Sequence, residues 1–145
     1  MNEVLKAIQD RRSTRGFNDV QLTEGQLKAL IDAALAAPSA RNSQMWHFSV
    51  VQNRERLDEF SRDCASLMAK GAQGGPAADR LFYHAPTVIF ISRPAECDNS
   101  FVEVDCGIAC ENIALAAQGL GLGSVIVGLP KQVFLSDRGA YYCGK

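Results

Sequence analysis

A chain of 145 residues, 47% hydrophobic and 21% charged, is long enough for one domain with a sizeable core and has an ordinary composition. With 15 basic and 16 acidic side chains the formal net charge is −1, which leaves no global electrostatic footprint for nucleic acid or an anionic membrane. No apolar run approaches the roughly 20 residues that span a bilayer, and Met1–Lys6 lacks the basic-then-apolar order of a signal peptide, so a cytoplasmic protein without a membrane partner is expected. Five cysteines, an odd number, argue against a disulfide framework. Cys106 and Cys110 share a helical face, but no histidine or CxxC accompanies them, and they are read as small apolar residues of a core helix with no metal.

Residues 2–11 form the first expected helix, with Val4, Leu5 and Ile8 on one face. At its end stands Arg11-Arg12-Ser13-Thr14-Arg15, three guanidinium groups and a serine hydroxyl within five residues. Arg11 and Arg12 could simply complement the helix dipole. Ser13 and Arg15 lie beyond the helix end, where a phosphate clamp explains them better. Thr23-Glu24-Gly25-Gln26 reads as a capping box opening a second helix, in which Leu27, Leu30, Ile31, Ala34 and Leu35 recur at helical spacing. Pro38 ends that helix at or before Ala37.

The next stretch, Pro38-Ser39-Ala40-Arg41-Asn42-Ser43-Gln44-Met45-Trp46-His47-Phe48, crowds polar residues into a turn. Asn42 and Gln44 each carry a carboxamide with an acceptor and two donors, suited to a heterocyclic edge that alternates C=O and N–H. A planar ring and a phosphate together suggest a nucleotide-like cofactor. Trp46–Val51 is expected as a buried strand, and Asn53 as the cap of a third helix reaching about Ala69, with Leu57, Phe60, Cys64, Leu67 and Met68 inward. His47 and His84 are read as structural rather than catalytic. Gly71–Asp79 reads as a surface loop and lacks the Gly-Lys-Ser/Thr of a phosphate loop.

Thr87–Ile91 is a continuous apolar strand, expected at the centre of a sheet. A long buried helix should run from about Phe101 to Gln118 or Gly119. Gly119, Gly121 and Gly123 leave a helix and enter a strand, the reverse of a dinucleotide turn, and so read as a helix stop with backbone exposed near a ligand. Ser124–Gly128 is expected as a further strand, followed by a short helix near Pro130.

The arginine–serine motif, the Pro38–Phe48 stretch and the glycine-rich exit into Ser124–Gly128, in this order and spacing, resemble the nitroreductase family of FMN-dependent oxidoreductases. The resemblance implies an α+β fold, a mostly antiparallel central sheet flanked by helices, in an intertwined homodimer with FMN at the subunit interface. It implies that Arg11, Ser13 and Arg15 grip the FMN phosphate, with Arg12 near the phosphate or the ring edge. Pro38 and Ser39 would reach the site from the second subunit, Asn42 and Gln44 would face the polar parts of the flavin, and backbone near Val127 and Gly128 would approach flavin N5. Family members usually continue into a further strand and a basic stretch. Residues 1–145 are therefore expected to form a single domain, incomplete at its C-terminus.

The same resemblance implies that flavin N5 carries the chemistry and that no side chain is catalytic. NADH or NADPH would be the electron donor and a nitroaromatic, quinone or similar small molecule the acceptor, in a ping-pong scheme. Arg12 and Arg41 are candidates for stabilising negative charge at the pyrimidine edge, although Arg41 reads equally well as a solvated loop charge. Two alternatives stand beside this reading: a flavoenzyme of the same fold with dehalogenase or dehydrogenase chemistry, and a non-catalytic FMN-binding module.

Overall fold

The structure, a computed structural model, describes residues 2–69 and 81–143. The expected loop Gly71–Asp79 lies outside the described residues. The chain divides into two compact units, one of Met1–Thr14, Gln21–Val50 and Ile89–Ile126, the other of Arg15–Val20, Val51–Val88 and Val127–Lys145.

In the first unit, α1 (Glu3–Asp10) begins where the Asn2 side chain accepts the Leu5 N–H at 2.9 Å. Its expected apolar face is present but turned outward, with Val4, Leu5 and Ile8 at 66, 51 and 50% exposed. α2 (Glu24–Leu35) opens on the expected capping box: Gln26 N–H donates to Thr23 Oγ1 at 3.2 Å and Thr23 N–H to Gln26 Oε1 at 2.9 Å. α4 (Val102–Gly119) packs against α2, and Asn112 Nδ2 donates to the Ala33 carbonyl at 2.9 Å. Buried alanines on both helices, Ala34 on α2 and Ala109, Ala114 and Ala117 on α4, permit close backbone approach.

The end of α4 is a Schellman motif. Leu122 N–H bonds to Ala117 O and Gly121 N–H to Gln118 O, with Gly121 at φ +70°, a conformation glycine adopts without a Cβ penalty. α4 is buried along Val102, Asp105, Ala109, Ala114 and Ala117 but open at Val104 and at its N-cap Phe101, so it is covered less completely than its composition suggested.

β1 (His47–Val51) and β2 (Val88–Ser92) pair antiparallel, and Gln52 Nε2 donates to Thr87 Oγ1 at 3.0 Å just past the ladder. Helices together with a small antiparallel sheet make the α+β class expected from the sequence. Three strand expectations change. β1 is not buried: only Phe48 and Val51 are partly covered, and the buried aromatic is Trp46, just before it. β2 is not central, since among the described residues the sheet has two strands. Ser124–Gly128 forms no strand, only a single parallel bridge between Ser13 and Ser124. A strand exists only where a neighbouring backbone supplies partners, and among the described residues only the Ser13 segment does so.

In the second unit, α3 (Arg54–Ala69) is capped by Asn53, whose Oδ1 accepts Arg56 N–H at 3.0 Å. Leu57, Phe60 and Cys64 are buried on its inner face. α5 (Lys131–Phe134) follows Pro130, as expected, and α6 (Gly139–Cys143) is an addition to the elements read from the sequence. Phe60 centres the aromatic core, with ring centroids 5.9 Å from Phe82, 5.5 Å from Phe134 and 4.7 Å from Tyr142. Gly139 lies so close to the Phe134 carbonyl that a Cβ would collide with it. α6 is tied to α3 by polar contacts: Arg138 Nε donates to Asp63 Oδ2 at 2.8 Å, Tyr142 OH to the same oxygen at 2.7 Å, and Tyr141 OH to Glu59 Oε1 at 2.9 Å. No helix among the described residues is long and apolar enough to cross a membrane.

Candidate functional site

The arginine segment leaves α1 in extended form. Arg11 is the C-cap at φ −56°, ψ 129°, Ser13 bridges Ser124, and Thr14 N–H donates to Ser124 O at 2.9 Å. Side chains alternate along extended backbone, so Thr14 and Ser13 face opposite ways. Thr14 takes the side of the glycine exit: a Cβ at Gly123 would stand 2.8 Å from Thr14 Oγ1. Because a β-branched side chain has little freedom to yield, glycine at 123 is what admits this segment beside the end of α4.

The four polar groups of the motif differ in what already holds them. Arg12 Nη1 donates to the Gln9 and Arg11 carbonyls and so completes the C-terminal end of α1. Arg11 Nε stands 3.4 Å from Glu111 Oε1, a partly exposed pair of the kind that contributes about 1 kcal/mol or less. The Ser13 hydroxyl and the Arg15 guanidinium, which belongs to the second unit, are exposed and take no partner among the described residues.

The Pro38–Phe48 stretch folds into a 3-10 turn at Ala40–Asn42 followed by an irregular step into β1. Arg41, Asn42 and Gln44 have φ of +57°, +54° and +49°. Three non-glycine residues in the left-handed region within four positions cost of order 1–2 kcal/mol apiece, less for asparagine. Such conformations persist only where the surroundings over-determine them, and here they do. Asn42 N–H bonds to Ser39 O at 2.9 Å, Ser43 N–H to Ala40 O at 3.1 Å, and Gln44 N–H to Ser39 Oγ at 3.0 Å.

Beneath the turn lies Asp105, only 4% exposed. Its Oδ1 accepts the Ala40 N–H at 3.1 Å and its Oδ2 accepts Asn99 Nδ2 at 3.0 Å. Asn99 Nδ2 also donates to Ser43 Oγ at 2.8 Å, and Asn99 Oδ1 accepts the Phe101 N–H at 2.9 Å. On the apolar side Trp46, 9% exposed, packs with Ala37 and Ala109. Neither Asp105 nor Asn99 was singled out from the sequence. The available signal was position: Asp105 shares a helical stripe with Val102 and Ala109, where an acid is out of place.

With its backbone held, the turn leaves its two carboxamide side chains outward. Asn42 and Gln44 are exposed. Gln44 borders an open cavity of about 520 Å³ with Ile31, Leu35, Trp46, His47 and Phe48 among its walls. Pro38 is exposed, and Ser39 is half-buried through the turn it closes. Val127 and Gly128 fall in the second unit. There Gly128 O accepts the Lys131 N–H at 3.2 Å, and the space over its Cα is open, which leaves that backbone approachable. His84 is exposed at φ +62°, and its carbonyl accepts from Arg54.

An α+β fold carrying an arginine–serine segment and an amide-bearing strained turn defines a class of domain suited to an anionic ligand with a planar polar ring. Residues 8–137 match the model of the nitroreductase family, and the chain belongs to that family. A nitroreductase with bound FMN from Bacteroides fragilis has the same fold, with a TM-score of 0.90 and 30% identity over 99% of this chain and 80% of its own. An FMN-dependent nitroreductase from Clostridium difficile is 42% identical with a TM-score of 0.82, over 88% of this chain and 61% of its own. An FMN reductase [NAD(P)H] from Bacillus subtilis is 30% identical over 148 aligned positions, 88% of this chain and 55% of that protein. The chain spans 54–69% of the length of the curated relatives it matches.

The donor set fits FMN. In the first unit Ser13 is uncommitted among the described residues, Arg11 is engaged through Nε alone, and both carboxamides of the turn are exposed. A phosphate dianion and a ring edge of alternating donors and acceptors call for these groups.

Proposed function

We propose that this chain is the FMN-holding part of an NAD(P)H-dependent oxidoreductase acting on nitroaromatic, quinone or similar small acceptors. The observation that carries the reading is the strained, hydrogen-bonded turn at Ser39–Gln44, which spends folding energy to present two carboxamides outward. Arg11, Ser13 and Arg15 bind the phosphate, with Arg12 close to it through the nitrogens its helix does not use. Asn42 and Gln44 orient the ring by its polar edge, and the backbone at Val127 and Gly128 borders N5.

Bound FMN would supply the redox chemistry, taking two electrons as hydride from NADH or NADPH and passing them to the acceptor in a ping-pong cycle. The protein's own task is binding, orientation and electrostatics, with Arg41 available to favour negative charge at the ring. We further propose a homodimer in which Pro38 and Ser39 of each chain complete the site of the other. The outward apolar stripe of α1, Val4, Leu5 and Ile8, supports it, because exposed contiguous apolar surface is the mark of an interface.

The test is a visible spectrum of protein equilibrated with FMN and freed of excess, then mixed anaerobically with NADH or NADPH. Bleaching of the bound flavin followed by recovery on adding an acceptor establishes the reductase. A flavin band that persists identifies a binding module, and no retained flavin overturns the reading. Light scattering coupled to gel filtration reads the dimer.

A further inference from the structure

We infer that Asp105 is a positioning residue: through its own carboxylate and through Asn99 it grips both ends of the 3-10 turn and thereby sets where the Asn42 and Gln44 carboxamides stand. Its connection to the flavin ring rests on the function proposed above. Its grip on the turn does not.

The geometry is specific. One carboxylate oxygen takes the Ala40 N–H, at the start of the turn, at 3.1 Å. The other takes Asn99 Nδ2 at 3.0 Å, and that nitrogen reaches Ser43 Oγ, at the end of the turn, at 2.8 Å. Between the two anchors lie Arg41 and Asn42, both left-handed, and one residue past the second anchor lies Gln44, also left-handed. Complementing the α4 dipole does not account for this placement. Glu103, in the same first turn, is exposed and can serve the dipole, whereas Asp105 is 4% exposed. A buried carboxylate is retained only where hydrogen bonds satisfy it, and the partners here belong to the turn and to the residue that latches it.

The orientation of the Asn99 amide is locked, because its Oδ1 accepts the Phe101 N–H at 2.9 Å. That lock supplies a sharp test. In Asp105→Asn, whichever way the new amide is turned, one of its N–H groups faces another donor, either Ala40 N–H or Asn99 Nδ2. In Asn99→Asp, a part-buried carboxylate at 99 faces the buried Asp105 carboxylate with no hydrogen between them. In the double variant Asp105→Asn, Asn99→Asp every group is matched again: Oδ1 at 105 accepts Ala40 N–H, Nδ2 at 105 donates to the carboxylate at 99, and that carboxylate accepts from Phe101 N–H and the Ser43 hydroxyl.

The readouts are amide hydrogen exchange in flavin-free protein, the FMN dissociation constant from fluorescence quenching, and the visible circular dichroism of the FMN complex. Each single variant should speed exchange at Ala40 and Ser43 by about tenfold and weaken FMN by about tenfold, the loss expected of one charged hydrogen bond. It should alter the dichroism and leave exchange in α3 unchanged. The double variant should return all three to within about threefold of wild type. Ser43→Ala, which removes only the distal anchor, gives a milder shift in the same direction should the single variants fold poorly.

Unchanged exchange at the turn overturns the grip. Faster exchange with unchanged FMN affinity and dichroism overturns its connection to the site, and failure of the double variant to rescue reduces Asp105 to general packing. Wild-type protein that takes up no FMN overturns the proposed function, while exchange and its rescue still decide the grip.

Discussion

Two polar networks in this chain are built from similar groups to different ends. Asp63 and Glu59 of α3, Tyr141 and Tyr142 of α6 and Arg138 just before it join two helices of ordinary backbone, with the Arg138 guanidinium 4.3 Å over the Tyr141 ring. No residue of these two helices has positive φ. At the Ser39–Gln44 turn, Asp105 and Asn99 hold a backbone that is left-handed at three non-glycine positions. The first network adds to stability and presents nothing, since its side chains are turned on one another. The second offsets strain, and in return both carboxamides face outward. Where a protein spends polar contacts to hold a conformation it would otherwise leave, function is the place to look.

The largest expected effect belongs to the stabilising side of that contrast. Phe60→Ala removes the ring on which Phe82, Phe134 and Tyr142 converge and should cost about 3–5 kcal/mol of stability, the usual range for a core phenylalanine. Urea unfolding measures it, and a loss under about 1 kcal/mol would show that the aromatic cluster is not what holds α6 to α3. On the presenting side, Arg11→Ala and Arg15→Ala should each weaken FMN by roughly 1.5–3 kcal/mol with little change in the melting temperature. Unchanged affinity in both would remove the phosphate clamp.

A pH titration sharpens the comparison further. Burial first, and then its hydrogen bond to the Asp63 carboxylate, push the Tyr142 phenol up to about 12. The folded protein thus favours the neutral phenol, and this contribution is whole below pH of about 10, the unfolded value, fading as pH rises toward 12. Thermal melts across that window should fall more steeply for wild type than for Tyr142→Phe. At the acid end, burial pushes the Asp63 carboxyl up, but hydrogen bonds from Tyr142 and Arg138 outweigh it and hold it below its usual value. Its contribution is present above the unfolded carboxylate range and lost as pH falls below it.

The smallest effect is a gain. Arg41→Gly relieves a left-handed arginine at the entropic cost glycine brings to the unfolded chain, and the net should be a stabilisation of about 0.5 kcal/mol by urea titration. A clear destabilisation would mean the turn is not strained at that position.

Much of this was legible in the sequence because the signals were local. The Thr23 capping box, the Asn53 cap, the proline stop at Pro38 and the glycine stop at Gly121 each follow from the chemistry of a few adjacent residues, and each stands where the pattern placed it. The expectations that failed depend on partners distant in sequence. Ser124–Gly128 has strand composition but finds only Ser13 to pair with, and β1 lacks the cover its apolar residues suggested. For the proposed site, the polar turn was readable as a turn and the means of holding it was not. Asp105 lies 65 positions from the Ala40 N–H it accepts, and no periodicity announces such a bond.

The cysteines carry a practical consequence. In the second unit Cys64 is wholly buried, burial pushes its thiol pKa up, and its Sγ lies 3.8 Å from the Leu129 carbonyl, while Cys143 is exposed. Alkylation requires the thiolate and access to it. A maleimide should therefore mark Cys143 at once and Cys64 only when the aromatic core opens. The lag between the two, read by mass spectrometry on native protein, is a built-in clock for that opening.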